Sequence, residues 1–167
     1  MRSLLLGCVA LWISVSAAVS GQLADWAADK GVRLDALLEK IVESKGSDGA
    51  PHFDLVPAVA GANGEQFVLT LRFTNTTGAM VDSVRITSVI PAGLRYIAGS
   101  ATGPGGLVLF SSDGGHTFGS EQELTARAAT SESGSTEQTA YTHVRWVLSA
   151  PLEVGATGFV RFRAFAR

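Results

Sequence analysis

The stretch FVLTLRFT, residues 67–74, decides the fold class. Its apolar side chains, Phe67, Leu69, Leu71 and Phe73, alternate with mostly polar ones. Successive side chains of a strand point to opposite faces, so this alternation predicts a strand with one buried face. The same pattern, or a short apolar run, predicts further strands over residues 84–90, 94–98, 107–110, 143–148 and 160–164.

Residues 55–59 complete this set as an edge strand. Proline has no N–H to donate to a neighbouring strand, so Pro57 is tolerated only at an edge or a bulge. Short strands joined by Gly and Asn turns, with no helical crossover between them, predict an all-β antiparallel sandwich of about seven strands. We expect residues 52–167 to form this domain, with Trp146 at the centre of its core.

The first twenty residues have the composition of a signal peptide. Arg2 gives a positive start, an apolar run extends to Val19, and small residues surround Ser20. This pattern predicts export and cleavage near residue 20, and membrane contact only through the signal peptide before cleavage. We therefore expect a secreted protein of the periplasm, the cell surface or the medium. The single cysteine, Cys8, excludes a disulfide framework and a cysteine-built zinc site.

Residues 21–46 follow a different period and predict a short amphipathic helix before the sandwich. The apolar side chains recur at helical spacing, and they are Leu34, Leu37, Leu38, Ile41 and Val42. Such a stripe is typical of a helix that packs one face on a core or on a partner. Residues 47–51 are rich in Gly, Ser, Asp and Pro and predict a linker between this helix and the sandwich.

Several stretches resemble one family when taken together in their order. They are residues 67–76, 89–96, 110–118, 141–146 and 154–162. Their pattern is similar to the conserved-repeat domain of unknown function of bacterial and archaeal surface proteins. In that family a strand with a TNTG-like turn precedes PAGL and a closing G-A-x-G strand. The resemblance covers residues 52–167 and implies an immunoglobulin-like β-sandwich, secreted or displayed on the cell surface, with no established activity.

A motif within this region resembles the Asp-box of sialidase-type propellers. It consists of Ser111, Asp113, Gly115, Thr117 and Phe118. The carboxylate can accept backbone N–H bonds across a hairpin turn, glycine allows positive φ, and we expect the aromatic ring to anchor the turn in the core. A propeller needs several such motifs on a much longer chain. We therefore predict a structural turn here and not a glycosidase site.

The sequence carries no catalytic motif. A net charge of −2 argues against a nucleic-acid partner, which would favour a basic patch. His52, His116 and His143 have no metal-ligand spacing, so we predict no metal and no cofactor. Asn75 begins an N-x-T glycosylation sequon, which we interpret as a strand-end turn because asparagine tolerates turn conformations.

Three arginines are the candidate binding residues. Arg145, Arg161 and Arg163 project from the outward side of the last two predicted strands and would form one basic stripe if those strands pair. Such a stripe could bind an anionic glycan or the acidic patch of a cell-envelope protein. Alternatively, the charges discourage aggregation through strand edges.

These features predict a non-catalytic secreted or cell-surface β-sandwich module with a structural or adhesive role. The alternative is a self-assembling extracellular subunit that docks through its N-terminal segment or its edge strands. A carbohydrate-active enzyme is a remote third reading. The sequence leaves the oligomeric state open.

Overall fold

The computed structural model describes residues 27–28, 31–58, 61–130 and 140–167. These residues form two antiparallel sheets and one helix, which confirms the predicted all-β sandwich. The elements are β1 Ala27–Ala28, β2 Val32–Lys45, β3 Pro51–Pro57, β4 Gln66–Asn75, β5 Arg85–Val89, β6 Leu94–Tyr96, β7 Leu107–Ser111, α1 Glu121–Thr130, β8 His143–Val147 and β9 Thr157–Ala166.

The two sheets divide the strands unequally. The five-stranded sheet has the order β3-β2-β4-β9-β6, and the four-stranded sheet has the order β1-β5-β8-β7. Among the described strands the chain changes sheet five times: between β1 and β2, β4 and β5, β5 and β6, β6 and β7, and β8 and β9. Strands that follow each other in sequence therefore do not always pair. Strand β3 lies at an edge, as predicted for the strand that contains Pro57.

The core lies between the sheets and is built from the apolar face of each strand. The largest fully buried side chains include Trp146 from β8 and Phe73 and Phe162 from the five-stranded sheet. The rings of Trp146 and Phe162 stack with their centroids 6.4 Å apart and join the two sheets. Trp146 thus lies in the core, as the sequence predicts.

The predicted helix over residues 21–46 is wrong where the structure describes this segment. Residues Val32–Lys45 form β2, which pairs with β4 from Val32 to Lys40 and with β3 from Glu39 to Lys45. Residues 1–26, which include the predicted signal peptide, lie outside the described residues.

The composition of β2 explains why a helix was expected. Leu34 and Leu38 are four residues apart and belong to both the helical stripe and the strand face. In the strand they pack against the core together with Val32 and Ala36, at a spacing of two. Leu37, the third leucine, lies in register with Thr70 and therefore points to the outer face. Pairing with β3 on one side and with β4 on the other overrides the helical propensity of these residues.

The predicted linker, residues 47–51, is also wrong. Residues 47–50 lie in the turn of the β2–β3 hairpin, in which Gly46 N donates to Ala50 O at 2.8 Å, and Pro51 begins β3. Because β2 belongs to the same sheet as β4 and β9, the segment before this turn is part of the sandwich.

Helix α1 was not predicted, although its start carries a recognisable signal. The Ser120 N–H donates to the Glu123 carboxylate at 2.7 Å, and Glu123 N–H donates to Ser120 Oγ at 3.2 Å. This reciprocal pair is a capping box.

No helix in the part of the chain described is long and apolar enough to cross a membrane.

Candidate binding surfaces

The Asp113 turn is held by its own hydrogen bonds. Thr117 donates its hydroxyl to the Asp113 carboxylate at 2.6 Å and its N–H at 2.9 Å. Ser111 Oγ donates to the same carboxylate at 2.7 Å, and the Gly115 N–H donates to Ser111 Oγ at 2.9 Å. The donors from Thr117, followed by Ser111, hold the pKa of Asp113 far below its usual range. The carboxylate is occupied within the turn, so the motif has a structural role.

Phe118 does not anchor this turn in the core, contrary to the prediction. Its ring is half-buried and lies on the outer face of the four-stranded sheet, where the Arg145 guanidinium sits 3.5 Å from the ring centroid. Arg145 also donates to Thr87 Oγ1 at 2.9 Å. The turn therefore folds back over β8, and its aromatic residue covers Arg145 by a cation–π contact.

We expect the Asp113 turn to be a source of acid sensitivity. The folded-state pKa lies below the ordinary value of 3.8, so Asp113 stabilises the fold above that pH and loses this contribution as pH falls towards the folded-state pKa. Asp113→Asn should lower the melting temperature at pH 7, and the difference from the native chain should shrink at about pH 3. Thermal melts at both pH values measure this effect.

Glu153→Gln is the matched control for this prediction, since Glu153 is exposed and no described residue donates to its carboxylate. The control should melt like the native chain at both pH values. An Asp113→Asn deficit that is the same at both pH values would mean that the carboxylate does not stabilise the turn through its charge.

The three candidate arginines do not form one stripe, which corrects the sequence prediction. Arg145 lies on β8 in the four-stranded sheet, whereas Arg161 and Arg163 lie on β9 in the five-stranded sheet. The last two strands do not pair because the chain changes sheet between them. Only Arg161 and Arg163 share a face, and this is the outer face of the five-stranded sheet.

Several charges on or near this sheet are neutralised by neighbours. The Asp35 carboxylate lies 2.8 Å from Arg72 Nη2 and 3.1 Å from Arg33 Nη2. The hydrogen bond from Arg72 is the main reason that the pKa of Asp35 is lowered. Lys40 Nζ lies 2.8 Å from Glu65 and lowers the pKa of that carboxyl.

Arg161 and Arg163 lack this neutralisation. Both side chains are exposed, and their partners across the β4–β9 ladder are Thr70 and Val68. Among the described residues, no carboxylate lies within ion-pair distance of either guanidinium. The two arginines stand two positions apart on one strand, so their Cα atoms are about 7 Å apart. They form a pair of unneutralised cations at a fixed backbone spacing, which we call the β9 arginine pair.

A small cavity lies at one end of the sandwich, beside α1. It has a volume of about 190 Å³, and its lining includes Arg95, Tyr96, Glu121, Tyr141 and Arg167. Burial raises the pKa of both tyrosines. Pockets that hold small organic ligands usually measure about 300–1,000 Å³ and are mostly apolar. This cavity is smaller, and its lining holds both positive and negative side chains, so we infer no ligand for it.

The sequon asparagine is a structural residue. Asn75 is 1% exposed, and its amide nitrogen donates to Ala79 O at 2.8 Å and to Leu152 O at 2.9 Å. Its amide oxygen accepts the N–H and the hydroxyl of Thr77 at 2.9 and 2.6 Å. Both amide hydrogens and the oxygen are engaged, so Asn75 closes the end of β4.

Comparison with known proteins adds no relative: no family model, no curated protein and no solved structure matches this chain. Within the described residues, no three His, Cys, Asp or Glu side chains are grouped to hold a metal ion. The proposed function therefore rests on the surface features of this structure.

The exposed apolar residues of the β2–β3 hairpin were not predicted from the sequence. Phe53 and Leu55 of β3 are exposed, although their alternation with polar residues would suit a strand with a buried face. The available signal was the pair of prolines, Pro51 and Pro57, which bracket an edge strand.

Proposed function

We propose that this chain is a non-catalytic β-sandwich module, secreted or displayed on the cell surface, with an adhesive or structural role. The signal-peptide pattern of residues 1–20 and the sandwich fold support this proposal. The resemblance of residues 52–167 to the conserved-repeat domain of surface proteins, and with it the immunoglobulin-like arrangement, belongs to the same proposal.

The observation that carries this function is the β9 arginine pair. Neighbours neutralise some charges on the same sheet, as Arg33 and Arg72 do for Asp35. Arg161 and Arg163 have no such partner among the described residues, although the whole chain is acidic. A guanidinium binds a carboxylate or a sulfate through two parallel hydrogen bonds. An anionic glycan of the cell envelope fits a flat sheet face that presents two such groups.

The test replaces both arginines by a neutral residue of similar length. Arg161→Gln with Arg163→Gln should weaken binding to an immobilised acidic polysaccharide, such as polygalacturonate, by about tenfold or more. Biolayer interferometry at low and at physiological ionic strength measures the affinity. The native chain should bind more weakly at the higher ionic strength, because the charges are exposed.

The matched control removes two exposed arginines elsewhere, with Arg85→Gln and Arg127→Gln. Both double variants change the net charge equally, so a larger loss of affinity in the β9 variant indicates a site on β9. Equal losses in the two variants would show that binding follows net charge alone. An unchanged affinity in the β9 variant would refute the arginine pair as the contact.

The second candidate function is that of a self-assembling subunit. It is favoured by one observation, the exposed edge strand β3, all seven residues of which face solvent. An exposed strand edge is a template for pairing with another chain.

A further inference from the structure

The β2–β3 hairpin extends beyond the sandwich as a two-stranded ribbon. Strand β4 pairs with β2 only as far as Lys40, whereas β3 accompanies β2 to Lys45. Every residue of β3 is exposed, and Phe53 retains 63% of its accessible surface. Such an exposed phenylalanine on an open edge is costly unless another surface covers it.

The outer edge of β3 offers few hydrogen-bond donors. Gly46 N donates to Ala50 O, and Ala58 N donates to Leu38 O, so the even-numbered residues of β3 direct their backbone groups to β2. The odd-numbered residues direct theirs away, and they are Pro51, Phe53, Leu55 and Pro57. Proline has no N–H. Phe53 and Leu55 therefore carry the two outward N–H groups of β3, and no described residue accepts a hydrogen bond from either.

We propose that this edge pairs with β3 of a second copy of the chain, antiparallel about a two-fold axis, with Phe53 opposite Phe53 of the second copy. In this register each Phe53 N–H reaches the carbonyl of its counterpart. Each Leu55 N–H reaches the carbonyl of Pro51 of the second copy. The N–H groups of Phe53 and Leu55 in both copies are then hydrogen-bonded, and Pro51 has no N–H that would be left without an acceptor.

Side-chain charges select this register among the alternatives. A ladder centred on Asp54 would place two carboxylates directly opposite each other, which is destabilising. A ladder centred on Leu55 would place Asp54 opposite Val56 of the second copy. The ladder centred on Phe53 places His52 opposite Asp54 of the second copy, twice by symmetry. Within one chain, His52 Nε2 already lies 3.4 Å from Asp54 Oδ1, so the two groups stand on the same face.

The opposite face of β3 itself is apolar and supports the same pairing, whereas β2 adds Glu43 to this face, in register with Phe53. Phe53 would contact its counterpart, with Leu55 beside Pro51 of the second copy. Ile41 of β2 lies in register with Leu55 and extends the apolar surface. The prolines confine the ladder to a few residues, so the edge closes on one partner and does not extend into a fibre.

This inference rests on the self-assembling alternative above and gives it a partner and a register. Its test leaves Arg161 and Arg163 in place, so the two proposals fail separately. A dimer with no affinity for acidic polysaccharide would overturn only the arginine pair. Polysaccharide binding by a chain that stays monomeric would overturn only the ladder.

Cysteine cross-linking tests the register. In the chain recovered from its own cells and carrying Cys8→Ser, Phe53→Cys should form a disulfide-linked dimer under mild oxidation. Hydrogen-bonded pairs place Cα atoms about 5.5 Å apart, which is within disulfide range. Leu107→Cys is the matched control, because Leu107 is 64% exposed on β7 of the other sheet. Non-reducing gels measure the rates, and we expect that of Phe53→Cys to be at least about tenfold higher.

Two results would overturn the proposal. One is a Phe53→Cys rate no higher than that of Leu107→Cys. The other is a higher rate for Asp54→Cys or Leu55→Cys than for Phe53→Cys, since it would mean a different register.

Sedimentation equilibrium tests the ladder without a cross-link. Phe53→Pro removes an outward N–H and leaves the hydrogen bonds to β2 intact, so it should raise the dimer dissociation constant by about tenfold or more. Phe53→Lys is the second variant and should act in the same direction through its charge, even if the proline variant fails to fold. A native chain that remains monomeric at every concentration, or a dimer that survives both substitutions, would refute the pairing.

Discussion

Trp146→Ala should lower the free energy of unfolding by about 3–5 kcal/mol, the range for large aromatic truncations in a core. Trp146 is 2% exposed and stacks on Phe162 of the opposite sheet, so its removal opens a cavity between the sheets. Urea denaturation followed by far-ultraviolet circular dichroism measures the loss. An unchanged midpoint would mean that β8 does not face the core.

Trp146→Phe is the informative companion variant. The indole Nε1 of Trp146 is buried with no hydrogen-bond partner among the described residues. A buried donor without a partner costs free energy, and phenylalanine removes that donor while it keeps an aromatic ring. We therefore expect a loss of only about 1–2 kcal/mol. A loss as large as that of the alanine variant would show that the indole N–H has a partner in solution.

Gly106→Ala should be the second most damaging substitution, at about 3–5 kcal/mol. Gly106 has a φ of 97°, and a Cβ at this position would overlap the carbonyl oxygen of Val147. That carbonyl belongs to β8 where it pairs with β7, so the backbone cannot retreat without disturbing the β7–β8 ladder. The same urea titration measures this effect.

Gly49→Ala separates the free-energy cost of the Cβ overlap from the cost of the positive φ. Gly49 has a φ of 79°, close to that of Gly106, yet a Cβ there meets no atom within 4 Å. Its cost should be about 1–2 kcal/mol, that of a left-handed conformation alone. Equal losses at the two glycines would contradict the predicted overlap with Val147.

The strands that could be predicted from sequence have an unambiguous period. In β4 the four largest apolar residues, Phe67, Leu69, Leu71 and Phe73, fall at a spacing of two and are all buried, and Val68 is the one apolar residue between them. In β2, Leu34 and Leu38 fit a helix and a strand equally well. Pairing with β4 and β3 favours the strand, and the local sequence pattern of β2 does not show that β4 will be its partner.

The candidate site could be predicted only in part for a related reason. Alternation places Arg145 and Arg161 on the outward side of their strands, and the structure agrees. The alternation of apolar and polar residues does not show which strands belong to the same sheet. The chain changes sheet between β8 and β9, so the two residues lie on different sheets. The Asp113 turn was predictable because its hydrogen bonds lie within seven residues, from Ser111 to Thr117.

The burial of Asn75 bears on the choice of an expression host. Enzymes that attach glycans to N-x-T sequons act on the emerging chain, before β4 pairs with β9. A sugar on the amide nitrogen would replace a hydrogen that the folded chain donates to Ala79 O or Leu152 O. Eukaryotic secretion would thus set glycan transfer in competition with folding. Bacterial hosts without such enzymes leave the asparagine free to complete its turn.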